Sequence, residues 1–186
     1  MSAALQMRPP ATMAEFLAWE KHQPLRYEWD GVQPFAMVGG SFAHTELASR
    51  MYDILRPALR GRCTVVRADL KVFTTNRSRI RYPDLVVSCS PLRAADDEIP
   101  EPALIVEVLS DSTTAVDRGV KRAEYAALPS LQRYVMLAQE APIALVCARG
   151  DGFEERVAQD VLRLPELGLS VPVPPLYEGL LLGAGE

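Results

Sequence analysis

Two carboxylates in this sequence stand where carboxylates are costly. Glu107 lies inside ALIVEVLS, residues 103–110, with the apolar Leu104, Ile105 and Val106 directly before it and Val108 and Leu109 directly after it. Asp84 follows Tyr82-Pro83 and opens the apolar run LVVS. If the two runs are neighbouring buried strands, the carboxylates converge, and like charges that close repel unless a proton or a cation stands between them. A hard divalent cation such as magnesium answers both difficulties, because it takes one or two carboxylates and completes its shell with water and phosphate oxygens. Such an ion would lower the pKa of a water and stabilise charge on phosphorus during hydrolysis of a phosphoester.

That chemistry asks for a positive group near the transition state. Two residues after Glu107 stands Leu109, which cannot supply it. Lys121 can: it lies in the helical stretch that follows, with Asp117 four residues before it and Glu124 three after, so all three share one face. The candidate set is therefore Asp84, Glu107 and Lys121.

The elements that must position this set are legible as patterns. Thr12 with Glu15 is a capping-box signature for a short helix over MAEFLAWEKH. RYEWDGVQPFAMVG predicts a hairpin turning at Asp30-Gly31. SFAHTELASRMYDILRPALRGR is the longest helical pattern, with Leu47, Met51, Ile54, Leu55 and Leu59 at helical spacing and Gly61 closing it. CTVVRADLKVFT and RIRYPDLVVSCS then read as two strands separated by TNRS, followed after an acidic loop by ALIVEVLS. The near-continuous apolar character of the last two fits central strands covered on both faces. A helix from Ser112 or Thr113 to Leu128, stopped by Pro129, precedes the strands LQRYVML, PIALVCAR and FEERVA. The tail VPVPPLYEGLLL shows no clear period and is expected as an extended edge segment. This order predicts an α+β or mixed α/β layout around one central sheet. Residues 1–12 are expected as a flexible arm and residues 13–186 as a single domain.

Composition narrows the partners. A net charge of −4 gives no global attraction to nucleic acid, although a local basic cleft is compatible with it. Cys63, Cys89 and Cys147 are an odd number and far apart, and the last two sit in apolar runs as free thiols would. They form no zinc motif. With no run of the length a membrane span needs and no signal-peptide pattern at the start, a reducing cytoplasm is the simplest expectation.

Several ordered motifs together resemble a known family. YPDLVV, ALIVEVLSDST, DRGVKRAEY and LQRYVML, with the TMAEFLAWE helix, the RYE and DG hairpin and the GGSFAH helix start, are similar to the Uma-type (DUF820-like) family of restriction-endonuclease-like proteins. That family lies within the PD-(D/E)XK nuclease superfamily, and the resemblance runs from about Met13 to about Asp151. It implies a restriction-endonuclease-like core, a central mixed sheet flanked by helices, and metal-dependent hydrolysis of DNA phosphodiesters with Mg2+ or Mn2+. Carried over by position, Asp84 and Glu107 would be the metal ligands and Lys121 the migrated catalytic lysine, in keeping with Leu109 at the superfamily's usual lysine position. Glu28, in RYE, and His44, at the start of the long helix, match further positions where water or phosphate could be held. By analogy with restriction enzymes, a homodimer is expected.

Each of these residues also has a plain structural alternative. Glu107 could be a buried carboxylate satisfied by a lysine or by backbone amides, and Asp84 a strand-entry residue after Pro83. Lys121 could be a solvated helix lysine paired with Asp117, His44 a helix-start histidine, and Glu28 a hairpin surface charge. Asp69 and Lys71 are strand-face residues bordering the cleft or nothing more. Arg67, Arg77, Arg79, Arg81, Arg118 and Arg122 are either phosphate holders or scattered surface charge. The run Ala95-Asp96-Asp97-Glu98 is most simply a solvated loop. Two other functions share these residues: a non-catalytic nucleic-acid-binding or regulatory module of the same fold, and a hydrolase of another phosphoester.

Overall fold

The computed structural model describes residues 9–37, 39–110 and 113–182. Residues 1–8 of the expected arm lie outside these. Of the remainder, Pro10 is buried and Thr12 caps the first helix.

Helix α1 (Met13–Glu20) begins as its residues dictate: Glu15 N–H donates to Thr12 Oγ1 at 3.2 Å, and Glu15 Oε2 accepts from Ala11 N–H at 2.8 Å. Its Phe16 packs on Trp29, with ring centroids 5.2 Å apart, and anchors a small core with Ile80 and Tyr82. Strands β1 (Tyr27–Trp29) and β2 (Pro34–Ala36) form the expected hairpin. The turn is longer than the two-residue Asp30-Gly31 form, because the Trp29–Pro34 pair leaves four residues between the strands. Asp30 Oδ1 closes it by accepting from the N–H groups of Val32 and Gln33, each at 2.8 Å.

Helix α2 (Phe42–Ala58) is capped by Ser41 and buries Leu47, Met51 and Leu55, with Leu59 just beyond. Ile54, expected in the same stripe, is among the exposed apolar residues. The buried stripe lies against a six-stranded sheet in the order β10-β9-β8-β7-β6-β3, made of β3 (Thr64–Arg67), β6 (Leu85–Ser88), β7 (Leu104–Val108), β8 (Arg133–Leu137), β9 (Ala144–Ala148) and β10 (Glu155–Ala158). Only β7 and β8 run parallel, so the sheet is mixed.

Both long strand candidates are broken. CTVVRADLKVFT splits into β3 and β4 (Val72–Thr74), and RIRYPDLVVSCS into β5 (Arg79–Arg81) and β6. β4 and β5 join the hairpin in a second sheet, ordered β2-β1-β5-β4. Pro83, which has no N–H to give a ladder, stands at the second break. The chain thus passes from one sheet to the other at Asp84, and the candidate carboxylate sits at that seam.

Both faces of the main sheet are covered. Leu104, Val106 and Val108 of β7 face α2 and the chain's C-terminal part, whereas Ile105 and Leu109 face Tyr125 and Tyr134 on the other side. By strand alternation Glu107 falls on this second face. The helical stretch above it is α3 (Thr114–Val116), a π-helical turn over Asp117–Lys121, and α4 (Arg122–Ala126). The tail VPVPPLYEGLLL is not an extended edge segment: it turns into a 3-10 helix over Pro174–Tyr177 and buries Val171, Val173, Leu176 and Tyr177 against the α2 side, just after β11 (Val161–Leu164) and β12 (Leu169–Pro172), which pair as a separate hairpin.

Cys63 and Cys89 are joined as a disulfide, which corrects the expectation of a free thiol in LVVSCS. They stand one residue outside the Thr64–Ser88 pair, so the β3–β6 register carries them together across a sequence separation of 26. Cys147 is free and buried. The bridge removes cysteine usage as an argument for a reducing compartment. Among the described residues, no helix is long and apolar enough to cross a membrane.

Candidate active site

Asp84 and Glu107 are opposed across the β6–β7 pair, one step beyond the Leu85–Val106 partners. Their side chains bind the backbone at that step. Glu107 Oε2 accepts from Asp84 N–H at 3.2 Å, and Asp84 Oδ2 accepts from Val108 N–H at 2.7 Å. His44, from the first turn of α2, reaches the same Asp84 Oδ2 with Nε2 at 3.2 Å. The hydrogen bond to Asp84 is the main reason its imidazole titrates above the ordinary value, with burial opposing.

Lys121 comes from the helical side. Its Nζ lies 3.0 Å from Glu107 Oε1, 3.2 Å from Glu28 Oε1 and 3.1 Å from Asp117 Oδ1. Tyr125 O–H also donates to Glu107 Oε1, at 3.1 Å. Lys121 is only 7% exposed and Glu107 4%, so neither is a solvated surface charge. The widened turn matters here, because it turns both Asp117 and Lys121 inward: Arg122 N–H reaches back five residues to Asp117 O.

The electrostatics are unbalanced. Burial is the main force on Glu107 and pushes its carboxyl up to about 8; Lys121 opposes this, and Asp84, Asp117 and Glu28 add to it. Burial would lower the Lys121 ammonium, but Glu107, Glu28 and Asp117 outweigh it and hold it above its usual value. One ammonium therefore serves three carboxylates, with Asp84 beside them. Asp117 Oδ1 is buried, at ion-pair distance from Lys121, yet outside hydrogen-bond geometry.

These groups form the floor of a cavity of about 880 Å³. Its lining holds six carboxylates, from Glu28, Asp30, Asp84, Glu107, Asp117 and Glu140, against the cations Arg81 and Lys121 and the imidazole of His44. An acidic floor with a buried carboxylate oxygen that has an ion pair but no hydrogen bond, and two carboxylates on adjacent strands, is the donor chemistry that suits a hard divalent cation. Among the described residues, no group of three or more His, Cys, Asp or Glu side chains stands at ligating spacing. Asp84 and Glu107 would be two protein ligands of a sparse site.

All five candidates, Asp84, Glu107, Lys121, His44 and Glu28, line this one cavity. Glu28 is no hairpin surface charge, since it bridges Lys121 and Arg81. The candidate phosphate holders fare differently. Arg79 and Arg81 both engage Glu124, Arg77 engages Glu98, and Arg118 engages Glu155. Arg67 donates to Ser49 Oγ at 2.6 Å and lies over the Tyr52 ring. Four of the six expected arginines thus already hold internal carboxylates. The acidic loop is not simply solvated, because Asp97 holds Lys71 and Glu98 holds Arg77, and neither Asp69 nor Lys71 lines the cavity.

Sequence reasoning overlooked Tyr125 and Gln139. Gln139 Nε2 donates to Leu109 O at 2.5 Å while its Oε1 accepts from Ser41 Oγ, tying the end of β7 to the cap of α2. Tyr125 could have been found as the residue four beyond Lys121 on the same helical face. Gln139 carries no comparable signal.

A mixed sheet with a covered parallel pair, helices on its faces and paired carboxylates where two central strands meet is a restriction-endonuclease-like core. The match of residues 13–179 to Uma2, described as "Putative restriction endonuclease", places the chain in that family, to which it belongs. It is 36% identical over 178 residues to the uncharacterized protein slr1290 of Synechocystis sp., covering 92% of this chain and 94% of the relative. A second Synechocystis protein, sll1609, also uncharacterized, is 26% identical over 132 residues, 69% of this chain and 75% of the relative. Among solved structures, one described as a putative nuclease belonging to DUF820, from Anabaena variabilis, superposes with a TM-score of 0.74 over 90% of this chain and 98% of its own, at 14% identity. That likeness shows the shared fold.

Proposed function

We propose that the protein is a metal-dependent endonuclease that hydrolyses DNA phosphodiesters. The observation that carries this reading is the excess of buried carboxylate around Lys121 at the foot of an open cavity. A fold stabilised for its own sake would not set the buried Glu107 and Asp117 on one ammonium that Glu28 also shares, with Asp84 beside Glu107, because uncompensated buried charge costs several kcal/mol (about 3–5 when a partner is missing). Asp84 and Glu107 would hold a divalent cation there, and the chemistry it would supply when bound is compensation of their charge, attraction for phosphate and a lowered pKa for water.

Asp84 and Glu107 would hold Mg2+ or Mn2+ between β6 and β7. His44 fixes the plane of the Asp84 carboxylate, and Tyr125 and Asp84 N–H fix that of Glu107. Lys121, held charged by three carboxylates, is suited to stabilise negative charge on the phosphoryl oxygens and unsuited to act as a base. Glu28 and Asp117 aim its ammonium.

The test is cleavage of a supercoiled plasmid and of a single-stranded DNA circle with Mg2+ or Mn2+, by wild type, Asp84→Asn, Glu107→Gln and Lys121→Ala. Cutting that each variant lowers at least about a hundredfold, and that EDTA abolishes, supports the reading. Cutting that persists in Asp84→Asn or Glu107→Gln places the chemistry elsewhere. A wild type that binds the metal and cuts neither DNA favours another phosphoester or a non-catalytic role.

A further inference from the structure

Two elements at the mouth of this cavity are inside out. In the turn over Asp117–Lys121 and the residue before it, the charged Asp117 and Lys121 are buried, while Val116 and Val120 are 42% and 46% exposed. In the β1–β2 hairpin, Glu28 turns inward, while its cross-strand partner Phe35 is 46% exposed. Directly paired residues share a face of the sheet, so Phe35 stands beside Glu28 on the cavity side. Phe35, Met37, Val116 and Val120 all line the cavity. An acidic floor is thus flanked by a hairpin wall and a helical wall, both apolar.

Those walls, and the pairing of Arg81 and Lys121, the arginine and lysine among the described lining residues, with carboxylates of the chain, speak to substrate class. A B-form duplex is bound mainly through phosphates by free arginines and lysines, and it keeps the faces of its bases stacked inside. Here four of the arginines that could meet such a backbone hold carboxylates of the chain itself. A duplex is also stiff, and it can lay a phosphate across a cavity mouth but cannot bend one strand alone down to Glu107 and Lys121. A single strand can, and its exposed base faces pack on aromatic and apolar side chains. The cavity volume is that of a pocket for a small ligand, room for a nucleotide and not for a double helix.

We infer that the site acts on single-stranded DNA, with a base next to the scissile phosphate packed between Phe35 on the hairpin and Val116 and Val120 on the helix. This rests on the nuclease reading above and narrows it.

The experiment compares a labelled oligodeoxynucleotide with the same strand annealed to its complement, in Mn2+, for wild type, Phe35→Ala and Val120→Thr. Both substitutions lie on exposed side chains, and circular dichroism checks that the fold persists. The expected result is at least about tenfold faster cutting of the single strand by wild type, with KM on that strand raised about tenfold and the preference reduced in both variants. Equal or faster cutting of the duplex would overturn the single-strand inference and leave the nuclease reading standing. A single-strand preference that both variants keep in full would overturn the role of the apolar walls. No cutting of either substrate by wild type that binds Mn2+ would sink the nuclease reading, and this inference with it.

Discussion

Asp84 and Glu107 hold each other's strand. Asp84 N–H donates to Glu107 Oε2 at 3.2 Å, and Asp84 Oδ2 accepts from the amide of Val108, the residue after Glu107, at 2.7 Å. Side chains have replaced main-chain pairing at the point where the chain leaves one sheet for the other. The carboxylates are thereby fixed in place before any ligand arrives, which is the preorganisation that the proposed hydrolysis would require.

The first prediction concerns Glu107 and pH in metal-free protein. Its carboxyl is pushed up to about 8 from an ordinary value near 4.5. The folded state therefore holds a proton that the unfolded chain releases, and stability present below the ordinary value is lost as pH rises toward 8. Glu107→Gln has no such proton to lose. Urea titrations in EDTA should show the variant gaining on wild type between pH 5 and 9, by on the order of 3 kcal/mol. A difference that does not change with pH would mean that Glu107 is not strained by burial.

Lys121 behaves oppositely. Lys121→Ala removes the ammonium shared by Glu28, Glu107 and Asp117 and leaves them facing one another. Loss of about 3 kcal/mol or more in urea denaturation is expected, along with loss of DNA cleavage. The double variant Lys121→Ala with Glu107→Gln should recover part of the stability and none of the activity.

Glu28→Gln separates aim from charge. Arg81 keeps Glu124, so the cost in stability should be modest, about 1–2 kcal/mol. Lys121 loses one of its three partners, and cleavage should fall about tenfold or more through kcat. Unaltered kinetics would return Glu28 to a structural role.

The disulfide makes a chemical prediction. Protein unfolded without reductant should show one titratable thiol, that of Cys147, and reduced protein should show three. Replacing Cys63 and Cys89 by serine should cost about 2–4 kcal/mol, since the bridge closes a loop of 26 residues. Three thiols in unreduced protein would show that the bridge does not form.

The parts of the site that were legible in the sequence are those in which a residue contradicts its own surroundings. Glu107 in an apolar run, Asp84 at the head of another, and Lys121 on the next helix announce themselves by that contrast, and the family resemblance added Glu28 and His44. What sequence could not show is which distant carboxylate meets which arginine. Glu124 lies 43 residues from Arg81, and Glu155 lies 37 from Arg118, so free-looking cations turned out to be spoken for. The two strand breaks were hidden because β5 and β6 are both strand-like on either side of Pro83, and only the register places them in different sheets. Cys63 and Cys89 meet for the same reason. The β11–β12 hairpin was hidden because VLRL does not alternate in residue type: Val161 is apolar yet exposed, and only the structure shows the alternation of burial along it.

The central claim is that Asp84 and Glu107 together bind a divalent cation, and calorimetric titration of Mn2+ into wild type and Glu107→Gln tests it most directly. The expected result is saturable binding in the wild type, with protons released as Glu107 gives up its own, and loss of at least about tenfold in affinity in the variant. Wild type that binds no metal, or a variant that binds it as well, would contradict the claim and leave Glu107 a structural carboxylate partnered by Lys121.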